Sequence, residues 1–190
     1  MRHRVFIAIN LPDDIKKALA SYQSKWPELP IRWIKKENLH ITLAFLGYLT
    51  EEEISEVLKI TSKVAKDREP FLINLHRICY GPKKMPPRMI WAEGEKSIEL
   101  GKLQKGLESV LFNSGAELSL EAENRPYTPH ITLGRIKQWE FRAIEPEERP
   151  IVDEEISLNF SVNSIEVMES QLKRGGPEYT ILESFSLARI

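Results

Sequence analysis

The 190-residue sequence predicts an α+β fold built from two facing lobes. Strand and helix patterns are mixed with hairpin-like gaps, which disfavours a doubly wound parallel sheet. The tetrapeptide His-Ile-Thr-Leu occurs twice, at residues 40–43 and 130–133, and the copies lie 90 residues apart, close to half the chain. That spacing suggests one copy per lobe, each lining a shared groove, within a single domain spanning 1–190. No shorter repeat period is visible, so any duplication is strongly diverged.

The elements follow in order. Val5-Phe6-Ile7-Ala8-Ile9 reads as a strand. Pro12-Asp13-Asp14 opens a helix, since proline suits a first turn and carboxylates favour the positive end of the helix dipole. Ile15, Leu19, Tyr22 and Trp26 keep one helical face, until Pro27 and Pro30 end it. Ile31 to Ile34 is extended. Leu39 to Phe45 alternates and is the first motif strand, closed by Gly47. Thr50-Glu51-Glu52-Glu53 reads as a capping box, starting a helix with Ile54, Val57, Leu58, Val64 and Ala65 inward.

Phe71, Ile73 and Leu75 alternate again, and Met89 to Ala92 is apolar and extended; the basic, proline-rich tip 81–88 joins them. A helix from about Ser97 places Leu100, Leu103, Leu107, Val110 and Leu111 on one face, with Gly115 as its C-cap. The second motif strand follows Pro126-Tyr127-Thr128-Pro129. Residues 137–155 are charged, carry two prolines and read as an irregular excursion. Two closing strands, Ile156 to Met168 and Tyr179 to Leu187, are joined by the turn Lys173-Arg174-Gly175-Gly176-Pro177.

Composition excludes several classes. The formal net charge of −1 gives no global basicity, so any RNA contact must be a local patch. A single cysteine, Cys79, makes no internal disulfide and no cysteine-based metal knuckle. The first apolar run is too short for a signal segment, so a cytoplasmic protein without membrane contact is expected.

Each motif holds an imidazole and a hydroxyl two residues apart, on one face of a strand. His40 then sits beside Thr42 and His130 beside Thr132, while Ile41, Leu43, Phe45, Ile131 and Leu133 point the other way. Two imidazoles can supply a proton donor and a proton acceptor near neutral pH, and two hydroxyls can hold phosphate oxygens. That set suits phosphoryl chemistry without a metal. His3 and His76 read as structural or solvated. A zinc site from His40 and His130 lacks an obvious third ligand, although Glu37 is near in sequence. Trp33, Phe45 and Tyr127 flank the motifs and could stack on a base, with core packing the better reading for Phe45. Arg32, Lys35, Lys36, Lys83, Lys84 and Arg88 could form a basic rim.

Glu37-Asn38-Leu39-His40-Ile41-Thr42-Leu43-Ala44-Phe45-Leu46-Gly47 and Thr128-Pro129-His130-Ile131-Thr132-Leu133-Gly134-Arg135 resemble the two signatures of the 2H phosphoesterase superfamily. Within it the chain most resembles the RNA 2′,3′-cyclic phosphodiesterases, historically called 2′-5′ RNA ligases. Phe6 to Ile9, Arg88 to Ala92 and the Gly176-Pro177-Glu178-Tyr179 turn fit as well. The resemblance implies a bilobal α+β fold whose two antiparallel sheets line a central cleft, with helices on their outer faces. It implies His40 as proton donor, His130 as proton acceptor, and Thr42 and Thr132 as phosphate donors. It also implies that Arg135 contacts the phosphate. Five residues after His130, Arg135 would fall on the opposite face unless the strand ends or bulges at Gly134.

The expected reaction is hydrolysis of an RNA or nucleoside 2′,3′-cyclic phosphate to a 2′-phosphomonoester, without cofactor or metal, by a monomer. Its reverse would be 2′-5′ ligation. The alternatives are another cyclic or 2′-5′-linked nucleotide as substrate, or RNA-end binding without catalysis.

Overall fold

The computed structural model describes residues 1–83, 86–113, 129–174 and 176–188. In chain order its elements are β1 (His3–Asn10), α1 (Asp13–Ser21), β2 (Ile31–Trp33), β3 (His40–Leu49), α2 (Glu51–Lys66), β4 (Phe71–Gly81) and β5 (Met89–Gly94). There follow α3 (Ile98–Asn113), β6 (His130–Ile136), α4 (Gln138–Arg142), β7 (Asp153–Val162), β8 (Ser164–Lys173) and β9 (Gly176–Ser186). Gly115, Pro126, Tyr127, Thr128, Lys84, Met85 and Gly175 lie outside the described residues.

The strands pair antiparallel in the order β7-β4-β5-β6-β3-β1-β8-β9, and β2 adds to β6. β3 and β6 meet through one residue pair, Ile41 opposite Ile131. The two expected sheets are therefore two halves joined at a seam, and the seam is made of the motif strands.

One face of this sheet carries α2 and α3. Leu100, Leu103, Leu107 and Leu111 of α3, and Val57, Val64 and Ala65 of α2, are buried with Ile41, Leu43, Ile131 and Leu133. Each large side chain removed from water contributes roughly 1.5–3 kcal/mol. The capping box that starts α2 is complete: the Thr50 amide donates to Glu53 Oε2 at 2.6 Å, and the Glu53 amide to Thr50 Oγ1 at 3.3 Å. Among the described residues no helix is long and apolar enough to cross a membrane.

Four expectations need correction. The apolar run 156–168 is two strands that break at Asn163, and they lie in opposite halves of the sheet. No glycine or proline marks that crossover, so the run reads as continuous. Gly47 does not close β3; the strand runs on to Leu49. Gly47 instead holds φ +75° beside a register shift, the glycine-favouring conformation of a bulge. The 137–155 excursion contains α4 and buries Phe141 to 1 % exposure, with Tyr80 donating to the Pro150 carbonyl at 2.7 Å. Val110 stands partly exposed rather than inward.

Candidate active site

The register Ile41 opposite Ile131 sets the geometry of the motifs. Continued one residue each way, it puts His40 across from Thr132 and Thr42 across from His130. The two imidazoles then lie on a diagonal; on a regular ladder such residues are about 7–8 Å apart, with their Cβ atoms somewhat closer. All four side chains sit on the face opposite the helices and are half-buried. The positive charge of a protonated His130 acts on His40, as does that of Arg135.

His40 is fixed from both ring nitrogens. Nδ1 donates to the Asn38 carbonyl at 2.7 Å, and Nε2 lies 3.0 Å from Thr42 Oγ1. A carbonyl can only accept, so the proton of the neutral ring is on Nδ1 and the Nε2 lone pair faces Thr42. The backbone before His40 is held in turn. Asn38 Nδ2 donates to the Pro177 carbonyl at 2.7 Å, and Lys16 Nζ to the Glu37 carbonyl at 2.9 Å. Burial pushes the His40 imidazole below its ordinary value; the Asn38 carbonyl partly opposes this, and the Lys16, His130 and Arg135 charges add to it.

His130 is set by its neighbours on β5. The indole of Trp91 stacks on the imidazole with centroids 4.0 Å apart and planes 25° from parallel. Trp91 Nε1 donates to Met89 Sδ at 3.4 Å, and Thr132 Oγ1 reaches the same sulfur at 3.8 Å. Glu93, directly opposite His130, is buried, with Lys83 Nζ 3.4 Å from its Oε2. Gly81 lies so close to Trp91 that a Cβ there would be 2.1 Å from indole Cδ2.

The Arg135 difficulty resolves through a bulge. β5 pairs Trp91 with Thr132 but Ile90 with Gly134, so β6 carries one extra residue between them. The alternation shifts, and Arg135 comes opposite Met89, whose sulfur touches Thr132. Residues directly across a ladder share a face, so Arg135 joins the His and Thr side. Gly134 is sterically required here: a Cβ would be 2.4 Å from Ile31 Cγ2 and 2.8 Å from Trp33 Cε3.

The flanking aromatics differ from expectation. Phe45 is 65 % exposed, because bulges in β3 turn it onto the His40 face opposite Phe6. Trp33 packs with the core beside Gly134 instead of approaching the imidazoles. The rings that surround His40 are Phe6 at 5.0 Å and Tyr179 at 5.3 Å, neither singled out by motif spacing. Trp91 was also missed; its only sequence signal is its place in the β5 strand. His76 is exposed, and His3 pairs with Glu169 at 2.7 Å, both away from the site. Cys79 is buried and its thiol is pushed up to about 11, chiefly by burial. Among the described residues no three His, Cys, Asp or Glu side chains cluster to hold a metal.

A curled antiparallel sheet with paired His-x-Thr strands on its open face defines a phosphoesterase of the two-histidine class. The chain belongs to the LigT-like phosphoesterase family, whose model matches residues 9–91 and 95–179. It is 33 % identical over 194 residues to the RNA 2′,3′-cyclic phosphodiesterase of Thermus thermophilus, covering 97 % of this chain and 90 % of that protein. The crystal structure of TT0787, also from Thermus thermophilus, shares the fold with a TM-score of 0.83 and 31 % identity over 98 % of both chains. E. coli LigT complexed with 3′-AMP follows with a TM-score of 0.81 and 26 % identity over 100 % of both.

Proposed function

We propose that the chain hydrolyses 2′,3′-cyclic phosphates at RNA or nucleotide ends to 2′-phosphomonoesters. The observation that carries this is the Ile41–Ile131 pairing, which joins the two motif strands at one seam, each with an imidazole and a hydroxyl on the face opposite the helices. Relatives named RNA 2′,3′-cyclic phosphodiesterase support the substrate class. The two halves of the sheet act as lobes of a single domain, each contributing one motif.

His130 removes a proton from water as its oxygen attacks phosphorus. The bond from phosphorus to the 3′ oxygen breaks, and the imidazolium of His40 protonates that oxygen. Thr42, Thr132 and Arg135 hold the non-bridging oxygens as their charge grows. No step requires a metal or cofactor. Burial disfavours the charged form of His40 in the free protein. An arriving phosphodiester anion favours it again, so substrate binding arms the acid. With a 5′-hydroxyl in place of water as the nucleophile, the same groups would join the cyclic end to that hydroxyl as the 3′ oxygen leaves, which is a 2′-5′ ligation.

The test incubates the protein with an oligoribonucleotide ending in a 2′,3′-cyclic phosphate and identifies the product isomer. His40→Ala and His130→Ala should each lower kcat about 10²–10⁴-fold with the fold retained, and a chelator should have no effect. Wild-type rates in either variant would refute the two-imidazole mechanism.

A further inference from the structure

We infer that Arg32, beside Arg135, forms a second phosphate site, which takes the phosphate 5′ to the reacting nucleotide and selects oligoribonucleotides over single nucleotides. This rests on the function proposed above and extends it to substrate length. β2 pairs with β6 so that Arg32 lies directly opposite Arg135. Both are exposed, and both share the face that carries Thr132 and Met89. Two guanidinium groups side by side on a ladder repel each other and destabilise the pairing.

Nearby cations have been neutralised instead. Lys36 lies 2.9 Å from Asp13, Lys83 3.4 Å from Glu93 and Lys137 3.1 Å from Glu140. Among the described residues Arg32 and Arg135 have no carboxylate at ion-pair distance. An unneutralised pair of forked donors, extending outward from the imidazoles, is suited to a chain of phosphates. Arg135 lies opposite Met89, whose sulfur touches Thr132, so it serves the reacting phosphorus. Arg32 stands across the ladder on β2, on the edge of β6 that β3 occupies at the motifs, about 4.8 Å away, where the next phosphate of a polynucleotide would pass. A nucleoside cyclic phosphate has no such group to offer.

The experiment compares adenosine 2′,3′-cyclic phosphate with a triadenylate ending in a 2′,3′-cyclic phosphate. For Arg32→Gln, the ratio of kcat/KM for trimer over monomer should fall about tenfold. The slope of log kcat/KM for the trimer against log salt should shrink by about 0.7. Arg32→Lys, which keeps the charge, should recover most of the ratio. Equilibrium binding of 3′-AMP and of a triadenylate with a 3′-phosphate is measured in parallel. If neither cyclic substrate is turned over, the proposed reaction fails, while the binding ratio still reports on Arg32. A wild-type trimer preference in Arg32→Gln, with an unchanged salt slope, overturns the inference. Should Arg32→Gln not fold, the wild type decides: its trimer must bind with a steeper salt slope than 3′-AMP.

Discussion

Gly81→Ala is expected to damage the reaction from a position outside the motif strands. The new Cβ would lie 2.1 Å from Trp91 Cδ2, 2.4 Å from Cε3 and 2.6 Å from Cε2. Carbon atoms in contact keep about 3.5–4.0 Å, so the indole must retreat by about 1.5 Å. That indole is stacked on His130, and the imidazole is pushed from its place or loses its support. Misplacing a reacting group by about 1 Å can cost 10²-fold. We therefore expect kcat to fall about 10²-fold, with KM changed much less. Overpacking should also cost about 1–3 kcal/mol of stability. Initial rates on the cyclic-phosphate oligonucleotide, taken well below the melting temperature, separate the two effects. Trp91→Leu supplies the control. If the clash acts through the indole, adding Gly81→Ala to Trp91→Leu should cost little more, a clear departure from additivity. A Gly81→Ala enzyme with wild-type kcat, or a double variant with fully additive losses, would refute the reasoning.

Two further outcomes are expected. The kcat/KM profile reports groups of the free enzyme, and the proposed acid must be protonated to act. Burial holds His40 below its ordinary value, so the limb of kcat/KM that reports loss of its proton should lie at lower pH than an ordinary imidazole gives. The corresponding limb of kcat, read with the substrate anion bound, should lie at higher pH; coincident limbs would contradict this. Phe141→Ala should destabilise the fold by about 3–5 kcal/mol, because the ring is buried to 1 % exposure under Tyr80 and Arg149. A thermal melt within a degree of wild type would mean the excursion is loosely packed after all.

The sequence and the structure agree at most positions where one local rule decides the outcome, Val110 being an exception. Alternation placed Ile41, Leu43, Ile131 and Leu133 in the core and their neighbours on the open face. Helical spacing and the Thr50 capping box placed α2. Agreement fails where an extra residue enters a ladder. Bulges in β3 turned Phe45 outward, and the bulge in β6 brought Arg135 to the site. Nothing in local propensity marks either, because a bulge is a compromise between two strands whose pairing is non-local. The same holds for the break at Asn163, which sends β7 and β8 to opposite halves of the sheet.

The site shows the same division. Its four polar groups were visible because they recur with their apolar neighbours. The parts that hold them in place were not, since they come from distant segments: Trp91 and Gly81 from the β4–β5 hairpin, Phe6 from β1, Tyr179 and Pro177 from β9. A repeat in sequence can announce which groups meet. Only the ladder register fixes how they meet, and here one pair, Ile41 with Ile131, sets it for the whole seam. A slip of one residue at that pair would turn one motif's imidazole and hydroxyl into the helix layer and its isoleucine and leucine into water. The helices buried against that isoleucine and leucine layer therefore oppose such a slip from behind the sheet, and so help hold the register on which the proposed chemistry depends.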